Sequence, residues 1–210
     1  MAKEKKAAVF SGDIIGSTGL SAQARKKLQQ VLDTLFRDLN KLWPDFQVQQ
    51  YRGDSIQATL TTHRAAALQI AMLIQSYLVQ RGFAIRLAIG MGAISFKSKD
   101  IITSDGSAFQ ASGPYLDMLI KNGEAISIAG SSEAFTGEWQ VHSTSLNYIV
   151  QRWTAQQAEA IYLQLQGFTQ QVVARKLKIR QPSVHQRLQA AGWPVLQKIL
   201  NRFESVIQND

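Results

Sequence analysis

The 210-residue sequence contains no cysteine, only four prolines, and no apolar run long enough to cross a bilayer. The absence of cysteine excludes disulfide bonds, cysteine-ligated zinc and a thiol nucleophile. The first residues, MAKEKKAAVF, are charged at their start but lack the apolar core of a secretory signal before Ser11. We therefore expect a soluble, cytoplasmic protein with no membrane partner.

Acidic residues and glycines become scarce toward the C-terminal end. Residues 1–150 hold 15 Lys/Arg and 12 Asp/Glu, a balance of +3, whereas residues 151–210 hold 8 and 3, a balance of +5. Only two of the 14 glycines lie beyond Gly137, and strand signals stop at about the same place. This change predicts two domains, 1–140 and 141–210, the second of them helical and basic. A basic helical module favours contact with nucleic acid, although a basic surface also serves solubility alone.

The first 130 residues alternate between β-prone runs and helical periodicity. Their order is strand, helix, two strands, helix and strand, then a third helix from about Pro114 to Lys121 and a strand at 125–129. A polar connection at residues 97–100 precedes the third helix. This order is typical of an α+β, ferredoxin-like (split βαβ) domain with helices on one face of a mostly antiparallel sheet. In that arrangement the first strand lies in the middle, beside the strand that carries the hairpin.

Two aspartates end up close together if this strand order is right. Asp13 ends the first strand in FSGDIIGSTGL, and Asp54 lies at the hairpin tip in YRGDSIQA. Paired carboxylates at a sheet edge can hold Mg²⁺ or Mn²⁺, with the carbonyl of Ile14 as a third ligand. Two such ions could polarise a triphosphate and activate an attacking hydroxyl. Alternatively, Asp13 satisfies loop N–H groups and Asp54 is a turn residue chosen for local hydrogen bonding.

Small residues around the two aspartates are candidates for nucleotide binding. A loop at the start of a helix offers N–H groups and hydroxyls to phosphates. Asp105 is either a third acidic group or, as we favour, part of a turn that positions Phe109. Arg86 either faces a phosphate or forms the polar side of its strand, and the second alternative is favoured. The candidate nucleotide-binding residues are Gly16, Ser17, Thr18, Gly19, Gly53, Ser55 and Asp105.

The same motifs carry a resemblance to known families. FSGDIIGSTGL and YRGDSIQA resemble the two metal motifs of class III nucleotidyl cyclases. The chain as a whole is more similar to the SatD family of bacterial proteins. That family's motifs appear here as Gly12-Asp13-Ile14 with Ser17, Gly53-Asp54-Ser55-Ile56-Gln57, Ile85-Arg86 with Ile89-Gly90 and Gly92, and Asp105-Gly106-Ser107-Ala108-Phe109. The resemblance implies a cyclase/palm-type domain that binds a metal and a nucleotide such as a nucleoside triphosphate, followed by a helix-turn-helix.

Three positions depart from the cyclase pattern. The purine-reading lysine of the cyclases falls near Gln50, and their transition-state asparagine and arginine fall near Gln110 and Gly113. Without that arginine, little balances the charge that develops on the phosphates. We therefore do not expect the chain to cyclise a nucleotide, whereas nucleotide binding or another phosphoryl or nucleotidyl reaction stays open.

The region after Thr154 has the pattern of a helix-turn-helix. It contains a packing helix, a second helix opened by Thr169, the short turn KIRQ, and a third helix with Pro182 in its first turn, where a missing N–H is harmless. It resembles the sigma-factor region-four and LuxR-type variants. We expect it to bind double-stranded DNA or, alternatively, to form a homodimer. The residue types that would reach bases and phosphates are Arg180, Gln181, Ser183, His185, Gln186 and Arg187.

Three hypotheses follow from these patterns. The leading one is a DNA-binding transcription regulator of the SatD type, in which a metal–nucleotide complex at Asp13 and Asp54 biases DNA binding or dimerisation. The second is a Mg²⁺-dependent nucleotidyl or phosphoryl transferase that uses the same two aspartates as catalytic carboxylates. The third is a DNA-binding protein with a degenerate, metal-free palm domain.

Overall fold

The computed structural model describes residues 5–51, 53–96, 100–130 and 132–210. Arg52 of the predicted hairpin and residues 97–99 of the predicted polar connection lie outside these ranges. The strands are β1 (Lys5–Ile14), β2 (Gln47–Tyr51), β3 (Ser55–Leu60), β4 (Ile85–Ile94) and β5 (Ile126–Gly130). The α-helices are α1 (Ala22–Leu42), α2 (Ala67–Val79), α3 (Ser107–Asn122), α4 (Glu133–Val150), α5 (Ala155–Leu165), α6 (Gln170–Leu177), α7 (Gln181–Ala190) and α8 (Trp193–Gln208).

β1 lies at the centre of a five-stranded sheet with the order β2-β3-β1-β4-β5. It pairs antiparallel with both β3 and β4, and β2 pairs antiparallel with β3. β5 is added parallel to β4, and the connection between them runs through α3, as parallel neighbours require a crossover. The chain is therefore an α+β protein in which the first four strands have the predicted split βαβ order.

Helices cover both faces of the sheet, whereas the sequence predicted them on one face. Successive residues of β1 point to opposite faces. Phe10 belongs to the core that includes α1 and α2, while Val9 packs with Ala108 of α3. The hydroxyl oxygens of Ser11 and Ser112 lie 2.9 Å apart, which ties α3 to the same face as Val9. The prediction of one-sided helices was wrong because small residues on this second face allow α3 to pack there.

Two glycines of β4 let α3 approach the sheet closely. A Cβ atom at Gly90 would lie 2.1 Å from the main-chain oxygen of Ala108, and one at Gly92 would lie 2.7 Å from the Ala108 nitrogen. The helix begins at Ser107, seven residues before the predicted start at Pro114. An interior proline costs about 3 kcal/mol because it lacks an N–H donor. Burial of the first turns of α3 against the sheet offsets this cost, so the proline did not mark the start.

α4 lies along the outer edge of β5 and starts at Glu133, before residue 141, where the sequence predicts the helical domain to begin. Asn147 Oδ1 accepts from the N–H groups of Ala125 at 2.7 Å and Ile126 at 2.9 Å, and its Nδ2 donates to the Ile126 oxygen at 2.8 Å. Ser143 Oγ accepts from the Ile128 N–H at 3.1 Å. These side chains satisfy the free backbone groups of the edge strand, which protects the edge from pairing with another chain.

The C-terminal helices continue the same hydrophobic core rather than starting a separate one. α6 and α7 are joined by three residues, of which Lys178 has a φ of 55°. α4 spans position 141, where the sequence predicts the second domain to begin. Among the described residues, no helix is long and apolar enough to cross a membrane. The buried side chains between α5, α6 and α7 are Ala158, Ile161, Val173, Val184 and Leu188.

Candidate metal and nucleotide site

β1 and the β2–β3 hairpin bring the two predicted metal-binding aspartates to one edge of the sheet. Asp13 lies opposite Ser55 in the antiparallel register, and Asp54 immediately precedes Ser55. The N–H of Ile14 donates to the main-chain oxygen of Asp54 at 3.0 Å, which fixes the two backbones. Both aspartates are half-buried. The fold thus brings the two residues together, and their role as metal ligands remains a prediction.

Ser17 connects the loop after β1 to the second aspartate. Its hydroxyl donates to Asp54 Oδ2 at 2.5 Å. Gly16 turns the chain with a φ of 72°, a conformation that glycine adopts without strain, and the next three residues form one 3-10 turn. Of the four residues of the predicted phosphate loop, Ser17 therefore contacts the site directly, whereas Gly16, Thr18 and Gly19 are exposed beside it.

The hairpin tip is held by its own side chains. Gly53 has a φ of 81°, and its main-chain oxygen accepts from Gln50 Nε2 at 2.7 Å. Gln50 stands where the cyclase resemblance implies a purine-reading lysine, and its amide is used here to brace the turn. Ser55 Oγ lies 3.5 Å from Asp54 Oδ1. The predicted residues Gly53 and Ser55 thus flank Asp54: Gly53 belongs to the turn that Gln50 holds, and Ser55 lies beside the carboxylate.

Arg86 of β4 places a positive charge beside the two aspartates. It lies opposite Asp13 in the β1–β4 register, with its Nη1 3.5 Å from Asp13 Oδ2. Its Nε is buried and has no hydrogen-bond partner among the described residues. Burial and the negative charge of Asp54 raise the pKa of Asp13, while the positive charge of Arg86 acts to lower it. The sequence did not settle the orientation of Arg86 and favoured a place on the polar side of its strand, whereas the structure turns its side chain toward Asp13.

The two carboxylates suit a cation that also binds the phosphate oxygens of a ligand. Within the described ranges, no cluster of three or more His, Asp or Glu side chains could hold a metal ion. Mg²⁺, however, is usually bound by one or two carboxylates, with waters and substrate phosphates filling its shell. Asp13 and Asp54 supply that number of carboxylates, and a cation between them would relieve their repulsion. The Ile14 side chain is buried, so only its main chain is available at this edge.

Asp105 does not join this group of residues. It pairs with Phe96 in an isolated antiparallel bridge beyond the end of β4, whereas the aspartate pair lies beside Arg86 near the start of that strand. Eight residues from Arg86 to Ile94 correspond to roughly 25 Å of strand. Asp105 Oδ1 accepts from the N–H of Gly106 at 2.7 Å. This contact belongs to the turn that the sequence favoured. The length of β4 therefore separates Asp105 from the other nucleotide-binding candidates.

The two α3 positions that correspond to the cyclase transition-state residues supply no charge to the site. Gln110 Nε2 lies 3.5 Å from Asp105 Oδ1, so its amide is directed toward the distant turn. A Cβ atom built at Gly113 would have no heavy atom within 4 Å. Neither position replaces the missing arginine.

The predicted DNA-contacting residues lie at the start of α7 and along it, but not all of them are free. Arg187 Nη1 lies 3.7 Å from Glu159 Oε2 of α5, and Arg187 and Ser183 are half-buried. Fewer of the predicted residues are exposed than the sequence suggests, because α5 packs against α7 and its Glu159 forms an ion pair with Arg187. The exposed members are Arg180, Gln181, His185 and Gln186.

Sequence reasoning missed Asp45, at the opposite end of the sheet. Its Oδ2 accepts from the N–H groups of Thr61, Thr62 and His63 at 2.9, 2.6 and 3.1 Å, and its Oδ1 is hydrogen-bonded to His63 Nδ1. Burial alone would raise the pKa of Asp45, but these hydrogen bonds outweigh it and lower the pKa to about 2. No sequence pattern signals the contact, because it depends on two loops meeting in the fold.

The fold and the site together define an α+β protein with a two-aspartate sheet edge and a C-terminal helical region. The chain belongs to the SatD family, whose model matches residues 7–205, so the predicted membership is confirmed. A comparison with curated proteins returns no match.

Solved structures that are similar to this chain are nucleotidyl cyclase domains. A bacterial light-regulated adenylyl cyclase is 11% identical with a TM-score of 0.46, over 60% of this chain and 76% of that one. An adenylate/guanylate cyclase/hydrolase from Silicibacter pomeroyi is 21% identical with a TM-score of 0.46, over 56% and 72%. The GGEEF domain of a diguanylate cyclase from Vibrio cholerae is 18% identical with a TM-score of 0.43, over 61% and 85%. The function proposed below therefore rests on this chain's own residues.

Proposed function

We propose that this protein binds a nucleoside triphosphate together with Mg²⁺ or Mn²⁺ at Asp13 and Asp54, and that the bound nucleotide regulates DNA binding by the C-terminal helices. The observation that carries the proposal is the hydrogen bond of Ser17 to Asp54 beside Asp13. It brings a loop hydroxyl and two half-buried carboxylates together where β1 opens into the Gly-Ser-Thr-Gly loop, whose other three residues are exposed. In this proposal the protein is a cytoplasmic transcription regulator of the SatD type.

The residues of the site would have separate tasks. Asp13 and Asp54 would hold the cation, with the carbonyl of Ile14 as a third ligand. The N–H groups of residues 16–18 would face phosphate oxygens, since consecutive N–H groups in a turn form an anion-binding concavity. The N–H of Gly19 donates to the Gly16 oxygen at 3.2 Å and closes the turn. The hydroxyl of Ser55 would help to orient Asp54. When bound, the cation would neutralise phosphate charge and draw the nucleotide to this edge.

A second candidate function, a Mg²⁺-dependent nucleotidyl or phosphoryl transferase, is favoured by Arg86. Its side chain is only 17% exposed and lies 3.5 Å from Asp13, so a positive charge is fixed beside the carboxylates. Phosphoryl transfer gains mainly from positioning and from positive charge near the reacting phosphate. In this case Asp13 and Asp54 are the catalytic carboxylates, and the C-terminal helices target or dimerise the enzyme.

The same contact also supports the third candidate, a metal-free palm domain. Here Arg86 itself is the counter-ion of Asp13, and the pair holds β1 to β4 without a metal ion. DNA binding would then be independent of nucleotides. The three candidate functions assign Asp13 to metal binding, to catalysis or to an ion pair with Arg86. Experiments on Asp13 can therefore distinguish them.

Calorimetry with ATP and GTP, each with Mg²⁺, with Mn²⁺ and with EDTA, tests the proposal. We expect binding that needs the metal and that weakens at least about 100-fold in Asp13→Asn and in Asp54→Asn, since even outer-shell changes cost 10–100-fold. Asp117→Asn, an exposed carboxylate of α3, is the matched control and should bind as the original protein does. Absence of binding under every metal condition would refute both the regulator and the transferase.

Prolonged incubation with labelled nucleotide then separates the regulator from the transferase. A product that forms with Mg²⁺ and is lost in Asp13→Asn supports the transferase, and Arg86→Gln should then slow turnover more than it weakens binding. Nucleotide binding without any product supports the regulator. A product that persists in Asp13→Asn places the chemistry elsewhere.

The DNA-binding part of the proposal is supported by the surface of α7. Arg180 precedes the helix, and His185 and Gln186 form its exposed side, all of them types that contact bases or phosphates. Burial of Val184 and Leu188 against α5 and α6 keeps that side outward. A homodimer would place two such helices on neighbouring half-sites.

A mobility-shift assay over a salt series tests this part. We expect affinity to fall steeply with salt, and Arg180→Ala to weaken binding and reduce the log–log salt slope by about 1. Arg37→Ala, an exposed arginine of α1, is the control and should leave the slope unchanged. Equal affinity for Arg180→Ala and the original protein would remove α7 as the DNA contact. Added metal–nucleotide should change the affinity only if the two sites are coupled.

A further inference from the structure

A cavity lies at the end of β1 that is remote from the two aspartates. Its volume is about 450 Å³, within the range of small-molecule sites. β1 and β4 meet there with the start of α3, the start of α4 and the end of α8. We name this cavity the cationic pocket. Its polar side chains are Lys6, Arg64, Ser107 and Ser132, and its apolar ones are Met91, Phe135, Val206 and Ile207, with Asp210 at the edge.

Asp210 forms ion pairs with both cations of the pocket. Its Oδ2 lies 2.9 Å from Arg64 Nη1 and 3.1 Å from Lys6 Nζ. These hydrogen bonds, that of Lys6 first, lower the pKa of Asp210. The Arg64 side chain is only 19% exposed, whereas that of Asp210 is 57% exposed and lies beyond α8, which ends at Gln208. Lys6 Nζ also donates to the main-chain oxygen of Asp210 at 2.5 Å, so Lys6 contacts this residue through both its main chain and its side chain. The largely buried guanidinium of Arg64 is thus paired with a carboxylate that is itself more than half exposed.

The remaining walls of the pocket also favour negative charge. Ser107 is the first residue of α3, and Ser132 is the N-cap of α4, so two long helices begin at the cavity. Helix N-termini carry partial positive charge and unpaired N–H groups. Ser107 Oγ accepts from the N–H of Ala93 at 2.9 Å, which directs its own hydrogen elsewhere and makes it available to a ligand. The charged side chains that line the pocket are two cations and one carboxylate, which leaves a net positive charge there.

We propose that the cationic pocket binds the phosphate or carboxylate group of a small molecule, and that Asp210 competes with this ligand for Lys6 and Arg64. The anionic group of the ligand takes the place of the Asp210 carboxylate. Its apolar part lies against Met91 and Phe135, which also line the pocket. The pocket is separate from the proposed nucleotide site, because the seven residues from Lys6 to Asp13 correspond to roughly 23 Å of strand.

Titration calorimetry in EDTA at constant ionic strength tests this proposal. The probes are phenyl phosphate and benzoate, which share an apolar ring and differ in the anion, together with inorganic phosphate, which has no ring. We expect phenyl phosphate or benzoate to bind more tightly than inorganic phosphate. Asp210→Asn should then increase the affinity about fivefold, because the competing half-exposed ion pairs are removed. The preferred probe of the first two identifies the anion.

Variants of the cations and remote controls complete the experiment. Arg64→Met should abolish the binding, and Lys6→Met, at a half-exposed position, gives the same test if Arg64→Met fails to fold. Arg37→Met should bind as the original protein does, since it removes the same charge elsewhere. Asp13→Asn should also bind normally, so failure here is distinct from failure of the nucleotide proposal. The proposal is overturned if Asp210→Asn binds no tighter, if no probe binds, or if Arg37→Met loses as much affinity as Arg64→Met.

Discussion

An aspartate lies near each end of β1, and the pKa values of these two aspartates are shifted in opposite directions. At the C-terminal end of the strand, burial and the charge of Asp54 raise the pKa of Asp13. At the N-terminal end, Asp45 is also partly buried, but hydrogen bonds from His63 and the two residues before it lower its pKa to about 2. Asp13 lies near the like charge of Asp54, whereas Asp45 accepts hydrogen bonds from three backbone N–H groups and is hydrogen-bonded to His63.

This difference indicates what each end is suited to bind. Where Asp13 and Asp54 repel each other, a divalent cation is the partner that would gain most. Where Lys6 and Arg64 converge with two helix starts, an anion gains most, and Asp210 already occupies part of that position. One central strand therefore connects an acidic edge, where we propose a metal–nucleotide complex, with a basic pocket, where we propose an oxyanion.

Gly90→Ala is expected to disturb both ends at once and to have the largest effect. The new Cβ would lie 2.1 Å from the Ala108 oxygen and 2.7 Å from the Ser112 nitrogen, both backbone atoms of α3 that cannot move independently. We expect a loss of about 3 kcal/mol in the free energy of unfolding, the upper range for overpacking. Urea denaturation followed by circular dichroism measures it.

Gly137→Ala provides the matched control for that substitution. Gly137 is an exposed residue of α4, and a Cβ there would meet no heavy atom within 4 Å apart from the adjoining backbone of its own helix. The same change should therefore stabilise the protein by about 0.5–1 kcal/mol through helix propensity. If Gly90→Ala were as stable as the original protein, the close packing of α3 on β4 would be incorrect.

Asp45→Asn tests the basic end through its pH dependence. At pH 7 we expect a loss of about 1–2 kcal/mol, because an amide accepts the three loop N–H groups more weakly than a carboxylate does. The pKa of Asp45 is lowered from 3.8 to about 2, so its contribution is complete above pH 4 and is lost as the pH falls toward 2. The variant should therefore show a shallower loss of stability across that window.

Urea midpoints measured between pH 2 and 7 provide the comparison. Asp117→Asn, an exposed carboxylate, should follow the original protein at every pH. Parallel curves for Asp45→Asn and the original protein would contradict the assigned network. Because Arg64 follows His63 directly, a displaced loop should also weaken anion binding in the cationic pocket.

The acidic end was largely predictable from sequence, and the basic end was not. Asp13 and Asp54 each lie at the end of a strong strand pattern, and the split βαβ order places those strands side by side. The contact of Ser17 with Asp54 adds only a short loop to that framework. Local patterns and one topological rule were therefore enough to bring the residues of this edge together.

The basic end depends on contacts between residues that are distant in sequence. Lys6, Arg64 and Asp210 come from a strand, a short turn and the segment after α8, and no motif contains any two of them. The same reason explains the error about α3. Its face of the sheet is set by Gly90 and Gly92, and the sequence shows small residues there without showing which helix they admit.

Asp13→Asn gives the smallest expected effect and the sharpest contrast with Asp45→Asn. The raised pKa of Asp13 means that the folded protein binds this proton more tightly than the unfolded chain does. Stability from this group is therefore greatest below pH 3.8 and falls as the pH rises through the pKa of the folded state. At pH 7 in EDTA, the uncharged amide removes the penalty, and we expect a gain of about 0.5 kcal/mol.

Urea denaturation in EDTA and with Mg²⁺ and ATP measures this change under both conditions. With the metal–nucleotide complex present, the original protein should become more stable than Asp13→Asn, because only the original protein gains stability from binding. A loss in EDTA as large as that of Asp45→Asn would show that Asp13 serves mainly as the partner of Arg86. The acidic end would then be a structural ion pair, and the metal-free palm domain would become the favoured function.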